Sequence, residues 1–351
     1  MTSPADKAFR LARADQEVIC YAASVGHAVW FSRDLGESWL RAPTPTGGIY
    51  NESRCWCLAT HPDRPDEVWS GTDQGIYVWR HSLERWNYLP SPMDGLHILK
   101  LAISPADPDF IVAGTRPAEI FVSRDGGRSW QCGQLPIGSE CWFINTPRVT
   151  SIQFDPKEPE TLWVPVEIAG IFRSRDGGQS WELLGEGLRD PDVHNLVIMD
   201  DIGDRLILCS TEVGLHRSND NGASWEFQEV PAAGDLIYFR CMARRADQSG
   251  VIFMSIGDKP SGQTGVLLRS RDFGTSWEKV ELPGRVNTTI WWIFVNPEDP
   301  RLILCNTMFG EIFRSTDGGE SWQRMDRFLG ELREIAWQAV PVKPPGTSKN
   351  L

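Results

Sequence analysis

The sequence predicts an all-β fold, a seven-bladed β-propeller of four-stranded antiparallel blades, and three patterns support this prediction. A motif of the form S-x-D-x-G-x-S-W occurs six times, a partial seventh copy lies at the expected spacing, and short β-branched or aromatic runs fill the intervals. Repeats of about 40 to 50 residues indicate propeller blades or helical arrays. Because no repeat carries a long helical period, the strand pattern favours the propeller.

The repeated motif marks one turn in each blade. The six complete copies occupy residues 32–39, 123–130, 174–181, 218–225, 270–277 and 315–322. The partial copy, at 77–86, keeps the tryptophan but has lost the Ser/Asp/Gly turn. Successive motif tryptophans lie 44 to 52 residues apart, which suits four short strands with their turns. In the repeat that ends near residue 133, we predict strands at 100–104, 110–114, 119–123 and 129–133.

A second repeat sets the register of the blades and predicts how the ring closes. The pattern x-P-x-x-P follows the first strand at Pro62/Pro65, Pro105/Pro108, Pro156/Pro159 and Pro297/Pro300. Proline there marks a fixed turn outside the hydrogen-bonded ladder. The chain begins with a strand of the second type, at 17–22, and ends with one of the first type, at 333–340. We expect these two strands to pair, which removes two open sheet edges.

The predicted domain organisation is one seven-bladed propeller over residues 1–341, followed by a disordered tail over residues 342–351. The tail is rich in Pro, Gly and Ser, a composition typical of mobile chain ends. Residues 1–16 are polar and lack the apolar segment of a secretory signal, so the predicted location is cytoplasmic.

Composition excludes several classes of function. Lys and Arg number 35 against 47 Asp and Glu, and the net charge of -12 argues against nucleic acid as a partner. The longest apolar run, 290–295, is far shorter than the roughly 20 residues of a membrane helix, so no membrane association is predicted. Eight cysteines occur without a C-x-x-C pair, which argues against structural zinc and favours reduced thiols.

The S-x-D-x-G-x-x-W box resembles the Asp-box, or BNR repeat, of sialidases, xyloglucanase-type glycoside hydrolases, sortilin-like receptors and the photosystem II stability/assembly factor. The resemblance covers nearly the whole chain and implies a hairpin turn between the third and fourth strands, away from any substrate site. Physical chemistry agrees, because the carboxylate can accept backbone N–H bonds, the glycine tolerates positive φ and the tryptophan fills the gap between sheets. The predicted scaffold aspartates are Asp34, Asp125, Asp176, Asp220, Asp272 and Asp317.

Candidate functional residues follow from aligning the blades at the mouth of the central channel. One column, counted back from the turn proline, contains Arg54, His97, Arg148, Thr289 and Arg333. The blades without that proline add Tyr238 and, with an uncertainty of one residue in register, His194. A structural ring would carry small or apolar residues there, so the cations indicate an anion site. Arginine offers a planar fork of donors that suits carboxylate or phosphate. The alternative is that each arginine pairs with a neighbouring acid and only lines a wet channel.

The loops that join the second and third strands should lie on the same face. They contribute Asp73, Arg116, Glu167, Glu212 and, with less certain register, Asp258. General acid–base catalysis needs carboxyl groups with shifted pKa values, and we predict Glu167 and Glu212 as the first candidates, with His97, His194 and Tyr238 as alternates. The alternative for each loop acid is a solvated carboxylate without a catalytic role. Trp142, in the long connection 131–148, is a predicted ligand-binding residue if this loop folds over the mouth as a lid. The alternative, equally open, is that Trp142 and Phe143 pack on the shoulder of the propeller.

The predicted function is that of an intracellular hydrolase or lyase that binds a small anionic or sugar-like molecule at the channel mouth. Resemblance to sialidases implies an arginine triad for a substrate carboxylate and a Tyr/Glu pair for nucleophilic attack, and Arg54, Arg148, Arg333 and Tyr238 fit by residue type. Seven blades instead of six, and the lack of a Phe-Arg-Ile-Pro signature, argue against a true sialidase.

Two alternatives concern partners and cofactors. The photosystem II assembly factor is also one seven-bladed Asp-box ring with a basic patch, which implies a non-catalytic scaffold as the second candidate function. Xyloglucanase-type enzymes resemble two rings facing each other, so a polysaccharide clamp would need a homodimer. No cofactor is predicted, and a divalent metal is left open because His97 and His194 would need Glu167 or Glu212 as further ligands.

Overall fold

A computed structural model of the chain describes residues 15–41, 48–50, 52–137, 146–200 and 203–342. These residues form 28 β-strands and one short 3-10 helix, Pro231–Ala233. The strands of the first four blades, apart from the closing strand, are β1 (Gln16–Ser24), β2 (Val29–Ser32), β3 (Leu40–Arg41), β4 (Cys55–Ala59), β5 (Glu67–Thr72), β6 (Ile76–Arg80), β7 (Arg85–Leu89), β8 (His97–Ser104), β9 (Asp107–Arg116), β10 (Ile120–Ser123), β11 (Gln131–Gly133), β12 (Gln153–Phe154), β13 (Leu162–Val166), β14 (Gly170–Ser174) and β15 (Glu182–Leu184). The others are β16 (Val193–Met199), β17 (Leu206–Thr211), β18 (Gly214–Ser218), β19 (Glu226–Gln228), β20 (Tyr238–Arg244), β21 (Ile252–Gly257), β22 (Gly265–Ser270), β23 (Glu278–Lys279), β24 (Ile290–Phe294), β25 (Ile303–Thr307), β26 (Ile312–Ser315), β27 (Gln323–Arg324) and β28 (Leu332–Pro341).

The strands form seven four-stranded antiparallel sheets, which confirms the predicted seven-bladed propeller. Six sheets take four consecutive strands in chain order, and the seventh has the order β28-β1-β2-β3. The C-terminal strand β28 pairs with β1 from Gln16↔Pro341 to Ser24↔Leu332. The predicted closure of the ring by the two chain ends is therefore confirmed. Within the described part of the chain, the predicted tail contributes only Val342, whose N–H donates to the Asp15 carbonyl at 2.9 Å.

The core lies between neighbouring blades, because each sheet buries both of its faces against the next one. One cluster combines Cys20 and Trp337 of the first blade with Leu304 of the last, all at most 1% exposed. Cys209 and Cys305 are also fully buried, as free thiols that pack like small apolar side chains.

The Asp-box turns use their aspartates entirely for local hydrogen bonds. Around Asp220, the Ser218 hydroxyl donates to Oδ1 at 2.8 Å, and the N–H and hydroxyl of Ser224 donate to Oδ1 and Oδ2 at 2.9 and 2.6 Å. Gly222 has a φ of +81°, and a Cβ there would lie 2.7 Å from the Trp163 ring. The same bonds recur at the other five boxes, for example at Asp34, which confirms that these carboxylates are scaffold.

The blade with the partial motif holds its turn differently. Asp66, which precedes β5, accepts the Ser82 N–H and hydroxyl, both at 2.6 Å. Behind this turn, Nδ1 of His81 accepts the Trp79 indole N–H at 3.1 Å, while its Nε2 lies 2.7 Å from the Tyr21 hydroxyl. The missing box is thus replaced by a carboxylate from another turn and a buried histidine.

We expect Asp220→Ala to lower the free energy of unfolding by about 1–2 kcal/mol, because the turn loses charge-assisted hydrogen bonds at the protein surface. Bonds from Ser224 and Ser218 lower the pKa of Asp220 from 3.8 to about 2. Since the folded-state pKa is depressed, the stabilisation is present above pH 4 and is lost as the pH falls towards 2. Urea denaturation at pH 7 and pH 3 tests this. Asp204→Ala in the same blade is the control, and an equal loss in both variants contradicts the prediction.

Candidate functional site

A β-bulge near the start of the inner strand of each blade shapes the mouth of the channel. In six blades the pairing register shifts at one residue: Trp56, Leu99, His194, Arg240, Trp291 and Arg333. In the remaining blade, the extra residue lies between Val149 and Gln153. A bulged residue lacks a partner across the ladder and its side chain is redirected. Five of the six named bulge residues line one pocket at the mouth, His194 being the exception.

This pocket is small, and several cationic side chains line it. Its volume is about 40 Å³, room for about three water molecules or one carboxylate or phosphate group. The lining includes four cationic side chains, Lys100, Arg148, Arg240 and Arg333, and the rings of Trp56 and Trp291.

The arginines and tryptophans alternate in one stack. The Arg333 guanidinium lies 5.3 Å from the centre of Trp56 and 5.0 Å from that of Trp291. Arg240 lies over the other end of the stack, 3.9 Å from the centre of Trp291. Cation–π contacts of this kind stabilise guanidinium groups that have lost water. The stack holds two guanidiniums beside the pocket in fixed positions.

The three arginines differ in their acidic partners. Arg148 Nη2 donates to Glu167 Oε1 at 2.6 Å, and Arg333 is ion-paired with Glu331. In the part of the chain that the structure describes, no acid lies within ion-pair distance of Arg240, and its Nε and Nη1 have no hydrogen-bond partner although the residue is only 7% exposed. Burial lowers the pKa of Arg333 to about 10; Glu331 opposes this shift, and Arg148 and Arg240 add to it. The site therefore has excess positive charge around Arg240.

Only part of the predicted ring meets at this pocket. Arg148 and Arg333 line it as expected, whereas Arg54 is exposed and lies outside the lining. His97 is stacked on Trp56 with ring centres 5.4 Å apart, and burial lowers its pKa. Thr289 is fully buried and its hydroxyl donates to the Lys259 carbonyl at 2.7 Å.

Two further residues of the predicted ring, His194 and Tyr238, pack against each other. His194 and Tyr238 are 2% and 4% exposed, with ring centres 4.7 Å apart. Because the Phe239 carbonyl accepts from His194 Nδ1 at 2.6 Å, that nitrogen carries the hydrogen, and Nε2 lies 3.6 Å from Asp192 Oδ1. Burial raises the pKa of Tyr238. These two side chains support the wall of the channel, and neither lines the pocket.

The two predicted catalytic glutamates have unlike environments. Glu167 is 7% exposed and is bound to Arg148. Burial raises the pKa of Glu212, and the charges of Asp192, Asp190 and Glu167 raise it further. Asp192 behaves in the opposite way: burial alone would raise its pKa, but His194, with Arg240 and Arg148, lowers it. A carboxyl group whose pKa is raised, Glu212, therefore lies near one whose pKa is lowered, Asp192.

The remaining loop residues have local roles. Asp73 accepts the backbone N–H of Arg54 at 3.1 Å. Asp258 accepts backbone N–H groups of its own loop, from Gln263 and Thr264, and these bonds lower its pKa against the effect of burial. Arg116 pairs in the sheet with His97 and is not part of the pocket lining. Trp142 lies outside the described residues. Among the residues that are described, no group of three or more His, Cys, Asp or Glu side chains could hold a metal ion.

The sequence alignment missed four residues of the pocket lining, Trp56, Lys100, Arg240 and Trp291. The sequence does contain a signal for the bulged positions. In three blades the turn proline follows the bulged residue by six positions: Trp56/Pro62, Leu99/Pro105 and Trp291/Pro297. Pro341 follows Arg333 by eight positions, since β28 pairs with β1 and makes no such turn. Arg333 and His194, which the alignment placed in one column with Arg54, therefore belong to the bulge column, and the positions equivalent to Arg54 are Glu331 and Asp192.

Comparison with known families agrees with this architecture. The BNR/Asp-box repeat profile matches residues 313–324, and the Sortilin-Vps10 profile (Sortilin, neurotensin receptor 3) matches residues 169–309. The chain is an Asp-box β-propeller. Its residues 313–324 contain the sixth of the six boxes whose turns have the same hydrogen bonds.

This Asp-box propeller is similar to enzymes and to non-enzymes. It is 24% identical over 203 residues to the oligoxyloglucan-reducing end-specific xyloglucanase of Emericella nidulans, covering 52% of this chain and 25% of that protein. It is 28% identical over 205 residues to the photosystem II assembly lipoprotein Ycf48 of Synechococcus, covering 58% and 51%. Sortilin of Mus musculus is 20% identical over 216 residues, covering 60% and 24%. The chain thus spans between a quarter and half of the length of these relatives.

Solved structures show the same fold. The GH74 xyloglucanase of Xanthomonas campestris superposes with a TM-score of 0.61 at 21% identity, over 82% of this chain and 46% of that one. Ycf48 bound to D1 peptide superposes with a TM-score of 0.58 at 15% identity, over 95% and 96% of the two chains. At these identities the likeness concerns the fold alone. Over the described ranges of this propeller, no helix is long and apolar enough to cross a membrane.

Proposed function

We propose that this propeller binds a small ligand through an anionic group, a carboxylate or a phosphate, at the mouth of its channel. The observation that carries the proposal is Arg240, a buried guanidinium without an ion-pair partner among the described residues, beside a pocket of the right size. Burying an unpaired charge is costly, so such a group is retained where a partner binds to it. A ligand carboxylate would receive donors from Arg240 and from its neighbours Arg148 and Arg333.

The proposal includes hydrolysis of the bound molecule, with Glu212 as the proton donor and Glu167 as the base. A raised pKa suits a proton donor, and burial with neighbouring acids raises the pKa of Glu212, while Glu167 forms an ion pair with Arg148. The protonated Glu212 would give its proton to the leaving oxygen, while the Glu167 carboxylate takes a proton from the attacking water. The xyloglucanases among the relatives are hydrolases by name, which supports this class for a sugar-like ligand.

The second candidate function is a scaffold that binds the acidic end of a peptide without catalysis. It is favoured by exposed apolar side chains in the loops around the mouth: Tyr50, Val213, Ile237, Phe309 and Phe328. Such a rim suits the side chains of an extended partner, and one related fold is known bound to a peptide.

The test measures ligand binding and stability in Arg240→Met. We expect wild type to bind members of a panel of uronic acids, sialosides, organic phosphates and short peptides, measured by calorimetry. We expect Arg240→Met to weaken that binding at least tenfold, since one charge-assisted contact is lost. Without ligand, the variant should unfold at the same or a higher urea concentration, because removing a buried unpaired charge relieves a cost.

Two controls separate the alternatives. The exposed Arg285→Met should leave binding unchanged, while Glu212→Gln should keep binding and abolish turnover of the bound glycoside or ester if the protein is a hydrolase. Peptide binding without turnover in any variant would favour the scaffold. Arg240→Met that binds normally, or that unfolds far below wild type, would show that Arg240 has only a structural role.

A further inference from the structure

The opposite end of the channel contains a second and much larger cavity. Its volume is about 480 Å³, within the range of small-molecule sites. It is formed by the ends of the inner strands and by the turn prolines Pro62, Pro105 and Pro297. A neighbouring cavity of about 380 Å³ shares five of its lining residues, so the lumen continues along the channel wall.

The wall of this cavity is mainly apolar. Its aromatic side chains are Phe154, Trp292 and Phe294, and its aliphatic ones include Leu101, Ile103 and Ile152. Several of these side chains are only partly buried, although each belongs to or packs against a core cluster between blades. An apolar lumen of this size binds the body of a small molecule by excluding water.

The inner end of the cavity is charged but balanced. Lys100 Nζ lies 3.5 Å from Glu334 Oε1, and Glu334 Oε2 accepts the Leu58 N–H at 2.9 Å. Lys100 also lies over the Trp292 ring, 3.6 Å from its centre. Because the two charges compensate each other, this end attracts neither an anion nor a cation. Glu298, the other acid in the lining, accepts the Ala339 N–H at 3.2 Å. The ligand that fits this mainly apolar lining is uncharged, unlike the anion proposed for the mouth.

Two N–H donors on the wall lack partners. His61 is 4% exposed, and its Nδ1 accepts the Asp63 N–H at 3.2 Å, so the hydrogen of the neutral ring is on Nε2. That Nε2, and the indole Nε1 of Trp292, have no hydrogen-bond partner among the residues that the structure describes. Buried polar groups are almost always hydrogen-bonded, and an acceptor oxygen of a bound molecule would give either donor a partner.

We propose that this lower cavity is a binding site for an uncharged, mainly apolar small molecule that carries at least one acceptor oxygen, such as a ketone, ester or amide. The apolar wall holds the body of the ligand, and His61 and Trp292 donate to its oxygen. Lys100 lines both the lower cavity and the pocket at the mouth, and its ion pair with Glu334 separates the two sites.

The test uses two uncharged fluorescent probes, Nile red, which has a carbonyl, and N-phenyl-1-naphthylamine, which has none. We expect both to bind wild type saturably at one site, and Ala102→Trp to weaken both at least tenfold by filling the cavity. Ile103→Trp is the second filling variant in case the first does not fold. His61→Phe should weaken Nile red several-fold more than the naphthylamine probe, and Arg240→Met should change neither.

Several results would overturn the inference. Wild type that binds neither probe saturably has no apolar site of this kind. Equal affinity in wild type and in a folded filling variant would place the probes on exposed apolar residues elsewhere. Loss of probe binding in Arg240→Met would place them at the mouth, and equal effects of His61→Phe on both probes would remove the role of the acceptor oxygen.

Discussion

Deletion of residues 331–351 is expected to abolish cooperative folding. The deletion removes all of β28, the inner strand of the blade that closes the ring, and leaves β1 with an unpaired edge. It also removes Ile335 and Trp337, both fully buried, from the interface with the last blade, and Ala336 and Val340 from the interface with the second blade. Loss of one buried tryptophan costs about 3–5 kcal/mol, and a domain has only about 5–15 kcal/mol in total.

Circular dichroism and urea titration measure this effect. We expect the truncated chain to show no sigmoidal unfolding transition and to elute as an expanded or aggregated species in gel filtration. Deletion of residues 343–351 alone is the control, because it keeps every pair between β1 and β28. A synthetic peptide of residues 331–342, added in excess, should restore a transition. Cooperative unfolding of the truncated chain at the wild-type midpoint would show that the ring does not need its closing strand.

Lys100→Met is expected to lower the free energy of unfolding by about 3–5 kcal/mol, because it leaves the Glu334 carboxylate buried without its cation. Glu334 is 5% exposed, and Lys100 is the cation recorded within ion-pair distance of it in the described structure. Burial raises the pKa of Glu334, while Lys100 and the Leu58 N–H oppose this shift. Removing Lys100 therefore raises that pKa further.

The loss of stability in Lys100→Met should depend on pH. A carboxyl group whose folded-state pKa is raised destabilises the protein when it is ionised, so its cost grows as the pH rises through the unfolded and then the folded pKa. The deficit of Lys100→Met should be largest at pH 7 and above, and should shrink as the pH is lowered and Glu334 takes up a proton. Urea titrations between pH 5 and pH 8 measure it.

A double variant serves as the control. Lys100→Met with Glu334→Gln removes both charges and keeps an acceptor for the Leu58 N–H, so we expect it to recover most of the lost stability. Glu334→Gln alone should cost less than Lys100→Met alone, since a lysine can extend its ammonium group to the channel water. Equal losses in all three variants, independent of pH, would contradict a buried ion pair.

The fold could be predicted because its determinants are local and repeated. Asp220 and the two serines that bond to it lie within seven consecutive residues, so the turn is visible in the sequence. The closing strand could be inferred by counting strands. The first blade lacks its inner strand and one strand is left over at the end, so pairing the two completes the blade. The turn of the partial box at 77–86 could not be predicted in this way, because the carboxylate that holds it, Asp66, comes from a different turn.

The candidate site was only half predictable. Arg148 and Arg333 were found because cations are unexpected on inner strands, whereas Arg54 is exposed and lies outside the pocket lining. The β-bulges decide which side chain is redirected, and a bulge depends on the pairing of two strands, which a single strand pattern does not show.

The sequence by itself determined the number of blades, the chemistry of the Asp-box turns and the way the ring closes, because each depends on residues near one another in the chain or on counting repeats. Only the tertiary structure shows that Arg240 is buried with no acid within ion-pair distance among the described residues. Only the tertiary structure brings Lys100 and Glu334 together in the channel and makes the wall of the lower cavity mainly apolar. These properties arise between blades, where residues as far apart as 100 and 334 become neighbours. Charge compensation and cavity shape depend on the distances between side chains of different blades, and the order of the residues in the chain does not give these distances.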